Sequence, residues 1–522
     1  MMGLGKCSLP VLAGALGLLQ GVAAPAFAQS DAAIDVYLNS RDGMGQAHQV
    51  DDGHNHGLQP VLVQTVIEAA ANQSEPEAAP PKTDTGPAFP STYTPYPGET
   101  VLITNATVLT GTGERLEKAS VLIEGRRIAA VGTGLSVAET VQEIDGSGKW
   151  VTPGIIDIHS HLGVYPSPGV RAHSDGNEAT SPNTAFVWAE HSVWPQDPGF
   201  TRALAGGITS LHILPGSANL FGGRGVTLKN VSSRTVQGMK FPGAPYTLKM
   251  ACGENPKRVY GSRGRSPATR MGNIAKIREA WIAATDYKAS WDTYEAKIAK
   301  GEEAKAPKRN LTNETLKGVL DGDILVQMHC YRQDEMAIML DVAREFDYQI
   351  TAFHHAVEAY KIADLLKEAG TCSAVWADWW GFKMEAYDGV RENGALIHAA
   401  GACAIIHSDS DVGIQRLNQE AAKTMADGNR IGLGITRAQA IAWITANPAK
   451  ALGIFEETGS LETGKAGDVV VWSGDPFSVY AQAEQVFIDG ALLYDRNDPA
   501  LSPRTDFEIG QIDNTMTGGA GQ

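Results

Sequence analysis

Apolar runs of strand length alternate with helical stretches through the middle of the chain, from Ile155 to about Leu452. This alternation is typical of parallel βα units, and the length of the region suits a (β/α)8 TIM-type barrel with insertions. Helical spacing between Ala268 and about Lys308 predicts a surface helical hairpin inserted before the fifth strand. We therefore predict an α/β fold with barrel strands in GIIDIHSH, GITSLHIL, GVTLKNVSSRTVQGMKF, YTLKMACG, ILVQMHCY, QITAFHHA, CSAVWAD and CAIIHSDS.

The segments on either side of this region have a different pattern, in which short strands are separated by turns. TVLITNATVLTG and ASVLIEGRRIAAVG precede the barrel, and GDVVVWSGDP and QVFIDGALLYD follow it. We predict that residues 98–150 and 453–497 form one small composite β-sandwich domain. Residues 151–452 then form the barrel, and residues 498–522 form a flexible tail.

The amino-terminal residues have the pattern of a secretory signal peptide. One lysine precedes an apolar run, and the small-x-small site Ala26-Phe27-Ala28 stands before Gln29. We predict a signal peptide over residues 1–28 and a secreted or periplasmic protein. Residues 29–97 are rich in Pro and Ala and have little apolar periodicity, which predicts a disordered leader.

Composition and charge exclude several classes of binding partner for this protein. The chain has 43 Lys and Arg against 59 Asp and Glu, a formal charge of −16, and no basic block. This balance argues against a nucleic-acid or anionic-membrane partner, and the ordinary hydrophobic content excludes collagen-like and wholly disordered chains. We expect a small-molecule partner and no membrane association after signal cleavage. The sequence leaves both a monomer and a homo-oligomer open.

Four cysteines follow the signal peptide, and they are Cys252, Cys330, Cys372 and Cys403. Export permits disulfide bonds. However, the cysteines are widely spaced, and each lies in or beside an apolar strand. These features favour buried free thiols, with a disulfide as the alternative.

Histidines cluster where the predicted strands end. His159 and His161 are two residues apart on one strand, so their imidazoles point to the same face and supply half of a zinc site. Functional groups gather at the carboxyl ends of barrel strands. By strand alternation, His354 should point away from the site that His355 enters. A single histidine of this kind is more often a hydrogen-bonded core residue, but the joint pattern favours a metal site formed by His159, His161, His329, His355 and Asp409.

Residues 105–495 resemble the metal-dependent amidohydrolase superfamily, in particular its imidazolonepropionase-like and prolidase-like branch. The motifs that carry the resemblance are VTPGIIDIHSHLG, ALAGGITSLHIL, HHAVEAYKIADLL, IIHSDS and TANPAKALGI followed by GSLETGKAGDVVVW. The resemblance implies a barrel with a composite β-sandwich domain and one or two divalent metals, usually zinc, at the barrel mouth. Residue by residue, it implies that His159 and His161 bind the more buried metal and that His329 and His355 bind the more exposed one.

The resemblance also implies roles for Asp409 and Lys249. Asp409 would contact the metal and act as general acid and base, taking a proton from metal-activated water and delivering it to the leaving nitrogen. His407, two residues earlier, either orients Asp409 or only packs. Lys249 stands where binuclear members carry a carboxylated lysine that bridges two metals. A buried lysine is costly unless it is paired or modified, and an ordinary paired lysine is the alternative.

Substrate contacts are expected from the loops at the barrel mouth. We predict Tyr165 in the long first loop, Arg224 in a GGRG turn, and Arg258 and Tyr260 in ENPKRVYG. An arginine there could hold a substrate carboxylate in fork geometry. A solvated surface arginine is the alternative at each position.

The sequence therefore predicts an exported metal-dependent hydrolase of amide bonds that acts on peptide-like or cyclic amide substrates. One alternative is a mononuclear zinc hydrolase or deaminase of a heterocycle, in which Lys249 is not carboxylated. Another is a metal- or solute-binding protein that has lost activity. The ligand set argues against the last, because a metal carrier does not need Asp409.

Overall fold

The computed structural model describes residues 89–135, 137 and 141–502. The predicted signal peptide, most of the predicted leader and most of the tail lie outside these residues. The strands are β1 (Val101–Leu109), β2 (Arg115–Glu124), β3 (Arg127–Gly132), β4 (Gln142–Asp145), β5 (Trp150–Pro153), β6 (Ile155–Ser160), β7 (Ile208–Ile213), β8 (Phe221–Lys229), β9 (Thr247–Ala251), β10 (Leu325–Cys330), β11 (Ile350–His355), β12 (Cys372–Val375), β13 (Ala404–Ile406), β14 (Val469–Trp472), β15 (Ala483–Ile488) and β16 (Ala491–Asp495).

Helices occupy most of the connections between the later barrel strands. The α-helices are α1 (Pro198–Ala205), α2 (Glu254–Gly261), α3 (Arg270–Ala299), α4 (Leu311–Leu320), α5 (Gln333–Glu345), α6 (Ala363–Glu368), α7 (Asn393–Ala399), α8 (Leu417–Arg430), α9 (Arg437–Ala440) and α10 (Ala446–Ala451). Single 3₁₀ turns lie at Arg171–His173, Ala189–His191, Val236–Gly238, Ala359–Ile362, Met384–Ala386, Gly413–Arg416 and Ile441–Ile444. Among the described residues, no helix has the length and apolar character needed to cross a membrane.

Strands β6 to β13 form a nearly closed eight-stranded sheet in chain order. Seven of the eight predicted segments contain one of these strands whole, and the third overlaps β8 only over residues 225–229. The barrel-like α/β architecture is therefore confirmed. The backbone N–H of Asp409, just after β13, donates to the carbonyl of His159 in β6 at 3.0 Å and links the two edge strands. This link brings the last strand against the first, where the predicted site lies.

One barrel strand departs from the predicted parallel arrangement, since β8 pairs antiparallel with both β7 and β9. Parallel neighbours need a crossover of about a dozen residues or more. The connection from β7 to β8 covers only residues 214–220 and contains no helix, so the chain returns antiparallel. The predicted GGRG turn is therefore wrong, because Gly222 to Gly225 lie inside β8.

A second sheet combines strands from before and after the barrel. Its order is β16-β15-β14-β5-β1-β2-β3, and β4 pairs with β1. The joining pair is β5 with β14, where Val151 lies opposite Val471. Val101, Ile103 and Phe487 are among the buried side chains of this sheet's core. The predicted boundaries and the sandwich form of this domain stay a prediction.

Residues 89–97 differ from the disorder predicted for the whole leader. The Thr92 N–H donates to the Gln237 carbonyl at 3.0 Å, and the Tyr96 hydroxyl donates to the Ser232 carbonyl at 2.8 Å. Lys240 donates from Nζ to the Phe89 carbonyl at 2.5 Å. The aromatic residues of this segment have partners on the barrel, and Pro and Ala content alone did not reveal them.

The predicted helical hairpin is instead the single 30-residue helix α3. Its buried residues recur every three or four positions, as one helix face requires, and they are Asn273, Ile277, Trp281, Ala284, Tyr287, Trp291 and Tyr294. Trp281 packs against Phe221 and Tyr348, with ring centroids 5.6 and 4.4 Å apart. Beyond Gly272 the helix sequence contains no glycine or proline that would form a turn.

The preference for free thiols is wrong, because the four cysteines form two disulfides. Cys252 pairs with Cys330 and Cys372 pairs with Cys403, across 78 and 31 residues of sequence. The Cα atoms are 5.2 and 4.5 Å apart, within the range that a disulfide requires. Each pair joins neighbouring parallel strands, so residues distant in sequence become adjacent in the sheet.

Candidate metal centre

The Asp409 carboxylate lies among imidazoles at the ends of two strands, β6 and β11. Its Oδ1 is 3.2 Å from His161 Nε2 and 3.5 Å from His159 Nε2, and its Oδ2 is 3.8 Å from His355 Nε2. Asp409 has a left-handed backbone with φ of 49°. The bond from its N–H to the His159 carbonyl holds the residue in this turn. The backbone therefore directs the carboxylate toward the histidines.

Two groups of side chains could each hold a metal ion. One is His159, His161 and Asp409, and the other is His159, His355 and His407, with the ligand atoms of each group within 4.8 Å of one another. His329 lies beside the second group, because its ring centroid is 4.7 Å from that of His355. The barrel thus brings together all four predicted histidine ligands and Asp409. His407 is an additional candidate, and its position favours a part in the site over packing alone.

Lys249 is wholly buried on β9, opposite Gln327 of β10. Its Nζ donates to the Pro215 carbonyl at 3.0 Å. Burial lowers the pKa of Lys249 to about 7, and the nearby Asp409 carboxylate opposes this shift. The lysine is also close enough for its charge to lower the pKa of His159. Lys249 therefore belongs to the same cluster, although its Nζ donates to a backbone carbonyl.

Several polar atoms of this cluster are buried and have no hydrogen-bond partner, and they are His159 Nε2, His329 Nδ1, His355 Nδ1, both ring nitrogens of His407 and Asp409 Oδ1. Such atoms are rare in folded proteins because losing water without a new partner is costly. Imidazole nitrogens and a carboxylate are the ligands that zinc and similar divalent ions prefer. The donor set therefore fits a metal ion.

The histidines are also in the protonation state that a metal needs. Burial is the largest cause that lowers the pKa of His159, His329 and His355 well below the usual value. Burial likewise lowers the pKa of His407 to about 3, with Asp409 opposing it. Neutral imidazoles have a lone pair for a metal. Near neutral pH, this cluster therefore offers ligands without first losing protons.

A chain of hydrogen bonds behind His159 fixes which of its nitrogens faces the site. Gln327 donates from Nε2 to the Ala451 carbonyl at 3.0 Å, and its Oε1 lies 2.7 Å from His354 Nε2. His354 Nδ1 lies 2.8 Å from His159 Nδ1. Likewise, His161 Nδ1 lies 2.9 Å from the Leu214 carbonyl, which leaves its Nε2 toward Asp409. Partners of this kind orient ligands and select their tautomers.

The expectation that His354 points away from the site is therefore wrong. Strand alternation applies to extended backbone, but His355 has φ of 68° and Ala356 has φ of 28°. The strand ends in a turn at His355, and both neighbouring histidines pack against His159, with ring centroids 4.8 and 4.7 Å from it.

Sequence reasoning also missed Asp157. Its Oδ1 accepts from the backbone N–H of His159 at 3.1 Å and of Ser408 at 3.2 Å, and the Ser408 hydroxyl donates to Oδ2. Burial raises the pKa of Asp157 to about 7 against these hydrogen bonds. Its position two residues before His159, on the same strand face, was an available signal. Asp157 connects β6 to the segment that presents Asp409.

The predicted substrate-contact residues lie in different environments. Tyr165 is beside the site, with its ring centroid 5.7 Å from that of His161. Arg224 is buried in β8, where Nε donates to Thr315 Oγ1 at 2.8 Å. Tyr260 is wholly buried and donates to the Ser181 carbonyl at 2.6 Å. Arg258 is half-buried on α2. Of these four residues, Tyr165 is the one with a ring contact to a candidate ligand.

The comparisons with known proteins agree with this arrangement. The sequence pattern of the amidohydrolase family matches residues 150–519. The chain therefore belongs to the amidohydrolase family, which confirms the predicted superfamily and class of enzyme.

Individual relatives match over different shares of their length. The chain is 32% identical over 438 residues to amidohydrolase tasK of Hapsidospora irregularis, and the match covers 77% of this chain and 44% of that protein. It is 21% identical over 382 residues to an imidazolonepropionase of Geobacillus sp. (strain WCH70), covering 68% of this chain and 84% of that protein. The crystal structure of an amidohydrolase from Thermotoga maritima MSB8 has a TM-score of 0.69 and 35% identity, covering 76% of this chain and 100% of that one. The chain thus spans less than half of tasK.

Proposed function

We propose that this chain is a metal-dependent hydrolase of a peptide-like or cyclic amide bond. The observation that carries the proposal is the Asp409 carboxylate beside His159 and His161, since Asp409 Oδ1 and His159 Nε2 are buried and have no hydrogen-bond partner. His159 and His161 would hold one divalent ion with Asp409, and His329 and His355 would hold a second. A bound metal of this kind lowers the pKa of its water toward 7 and polarises a carbonyl. Zinc is the ion that this donor set favours.

Asp409 would move the proton in this reaction. Its side chain is 10% exposed, so solvent and a small substrate can reach it. Its Oδ1 is buried beside His159 and His161, so Oδ2 would be the oxygen that takes a proton from water. The same oxygen would then deliver the proton to the leaving nitrogen. Burial lowers the pKa of His159 and of His355, so these two imidazoles do not compete for that proton.

Lys249 would form a carbamate that bridges the two ions. Burial favours its neutral amine, and that form adds CO2 to give a carbamate anion and one released proton. The negative carbamate would offset the repulsion between two nearby cations. The mononuclear alternative, a zinc hydrolase or deaminase of a heterocycle, is favoured by the existing bond from Lys249 Nζ to the Pro215 carbonyl. That bond already gives the unmodified amine a partner.

We also propose that the protein is exported and acts on a small molecule. The two disulfides support export, because such bonds persist in oxidising compartments and are rare in the cytosol. The signal-peptide pattern of residues 1–28 supports it independently. Amino-terminal sequencing of exported protein is expected to give Gln29 as the first residue. Retention of Met1 would reject the proposed cleavage.

The test of the proposed reaction is a panel of dipeptides, cyclic amides and heterocyclic amines incubated with protein that has been supplied with Zn²⁺ and bicarbonate. Turnover of an amide, its loss after chelation and about two metals per chain would support the binuclear hydrolase. Turnover with one metal per chain would favour the mononuclear alternative. Metal binding with no turnover of any compound would favour the inactive binding protein.

A further inference from the structure

A cleft beside the candidate metal centre is lined largely by aromatic and aliphatic side chains. It is a shallow cleft that opens to solvent, and its lining includes His355, Val357, Trp376, Trp379 and Trp380. The cleft lies after β11 and β12, at the same strand ends that carry the histidines. It is therefore continuous with the site through His355.

Stacked rings lead from the surface of this cleft to the metal centre. Trp376 stacks on His355 with ring centroids 4.3 Å apart and an interplanar angle of 23°. Trp379 stacks on Trp376 at 5.3 Å and 26°. Trp376 is buried, whereas Trp379 and Trp380 are 43% and 56% exposed. A group that packs on Trp379 is thus two ring contacts from a candidate metal ligand.

The segment that carries these rings, residues 376–387, is held by polar bonds to other parts of the barrel mouth. Trp376 donates from Nε1 to the Ser408 carbonyl at 3.1 Å. The buried Glu385 accepts from the Glu254 N–H at 3.0 Å and pairs with Arg270. These anchors fix the aromatic surface before any ligand arrives, and a fixed surface binds with a smaller ordering cost.

The polar side chains that line the cleft already have partners. Asp378 pairs with Lys423 at 2.9 Å, and Asn393 donates to the carbonyls of Ala356 and Val357 at 3.0 and 3.1 Å. The exposed faces of Trp379 and Trp380 favour an aromatic or aliphatic group over a charged one. Exposed aromatic surface beside a reactive centre is a common mark of a ligand site.

We propose that this cleft is a subsite for an aromatic or large aliphatic group carried within one residue of the scissile amide. The proposal rests on the proposed function, because it assigns the side-chain preference of that same reaction. It predicts that phenylalanine or leucine next to the cleaved bond is favoured over alanine. Trp379 would contact the group directly, and Trp376 would hold Trp379 against His355.

The subsite can be tested apart from the reaction by comparing the binding of two ligands that the protein cannot hydrolyse. The affinities of phenylalaninol and alaninol, which contain no amide bond, for zinc-loaded protein are measured by calorimetry. Phenylalaninol should bind roughly tenfold more tightly, as aromatic burial and stacking predict. Trp379→Ala should remove most of this difference, while Trp379→Phe should keep much of it. The control is Tyr480→Ala, since Tyr480 is 89% exposed in the β14–β15 connection and should leave the difference intact.

Equal affinity of the two compounds for the wild-type protein would overturn the proposal, as would a preference that survives Trp379→Ala together with Trp380→Ala. Sedimentation in which Trp379→Ala turns a dimer into a monomer, without changing ligand preference, would identify the surface as an interface between copies. Metal content should be unchanged in every variant. An aromatic preference in binding with no hydrolysis of any amide would reject the proposed function but retain the subsite.

Discussion

The Nδ1 atoms of His159 and His354 lie 2.8 Å apart, so one ring must donate and the other must accept. Gln327 decides which, because its amide nitrogen is engaged by the Ala451 carbonyl and its oxygen faces His354 Nε2. The His354 proton therefore lies on Nε2, and His159 donates from Nδ1. This arrangement leaves the lone pair of His159 Nε2 directed toward Asp409.

Replacing Gln327 should therefore weaken metal binding without touching a ligand. Gln327→Leu removes the acceptor that fixes the His354 tautomer, and His159 can then present the wrong nitrogen. Loss of such a supporting bond typically weakens metal affinity about 10–100-fold. Zinc affinity measured by chelator competition checks this result. The control is Gln349→Leu, an exposed position whose amide nitrogen donates to the Ala369 and Gly370 carbonyls at 3.4 Å. Equal zinc affinity of the two variants would contradict the interpretation.

Asp409→Asn should keep the metals and lose turnover. Asparagine retains the size and one oxygen, but it cannot take up a proton near neutral pH. General acid–base catalysis is worth about 10²–10⁴-fold, and kcat should fall by at least that range. Metal content by elemental analysis and kcat on the same samples check the result. If metal and activity are lost in proportion, Asp409 is mainly a ligand.

Lys249→Ala should lower the metal content from about two per chain toward one, because the bridging anion is gone. Small carboxylic acids should restore part of the activity by filling the vacated place. Wild-type protein prepared without bicarbonate should begin with partial occupancy and recover when bicarbonate and Zn²⁺ are added together. One metal per chain in wild-type protein, unaffected by bicarbonate or by the substitution, would reject the carbamate.

The two disulfides should have different effects on the site. Removing Cys372–Cys403 as a double serine variant should lower stability by about 3–4 kcal/mol, as loop closure over 31 residues predicts. Removing Cys252–Cys330 should also lower metal occupancy, because Cys330 directly follows His329 and the Cys252 N–H donates to the His329 carbonyl at 2.9 Å. Thermal unfolding and metal content of both variants check this difference. Equal metal occupancy in the two variants would show that the Cys252–Cys330 disulfide does not support His329.

The parts of the fold that local patterns determine were predictable from the sequence. Apolar runs located the eight barrel strands, and the spacing of His159 and His161 placed both imidazoles on one face. The direction of β8 was not predictable from its composition, because it depends on how short the preceding connection is. The disulfides depend on which strands become neighbours, and that is a property of the whole barrel.

The candidate site shows the same limit. Asp409 and the strand-end histidines could be identified from position alone. His354 could not, because its direction depends on the left-handed backbone of His355. Gln327 and Asp157 act through hydrogen bonds to segments far away in sequence. No spacing rule connects Gln327 to Ala451 or Asp157 to Ser408, although the position of Asp157 two residues before His159 was itself a signal.

The reversed direction of β8 also limits how the chain can be divided. It carries Lys229 to the end of the barrel opposite the histidines, where Nζ lies 2.9 Å from Asp468 and 3.1 Å from Asp489 of the flanking sheet segments. Lys229 is 2% exposed, and a buried charge that loses its partner costs about 3–5 kcal/mol. A barrel excised at residue 452 would keep this ammonium and lose both carboxylates. The barrel is therefore not expected to be stable without the carboxyl-terminal strands β14 to β16. A chimaera that exchanges the barrel between relatives must include these strands.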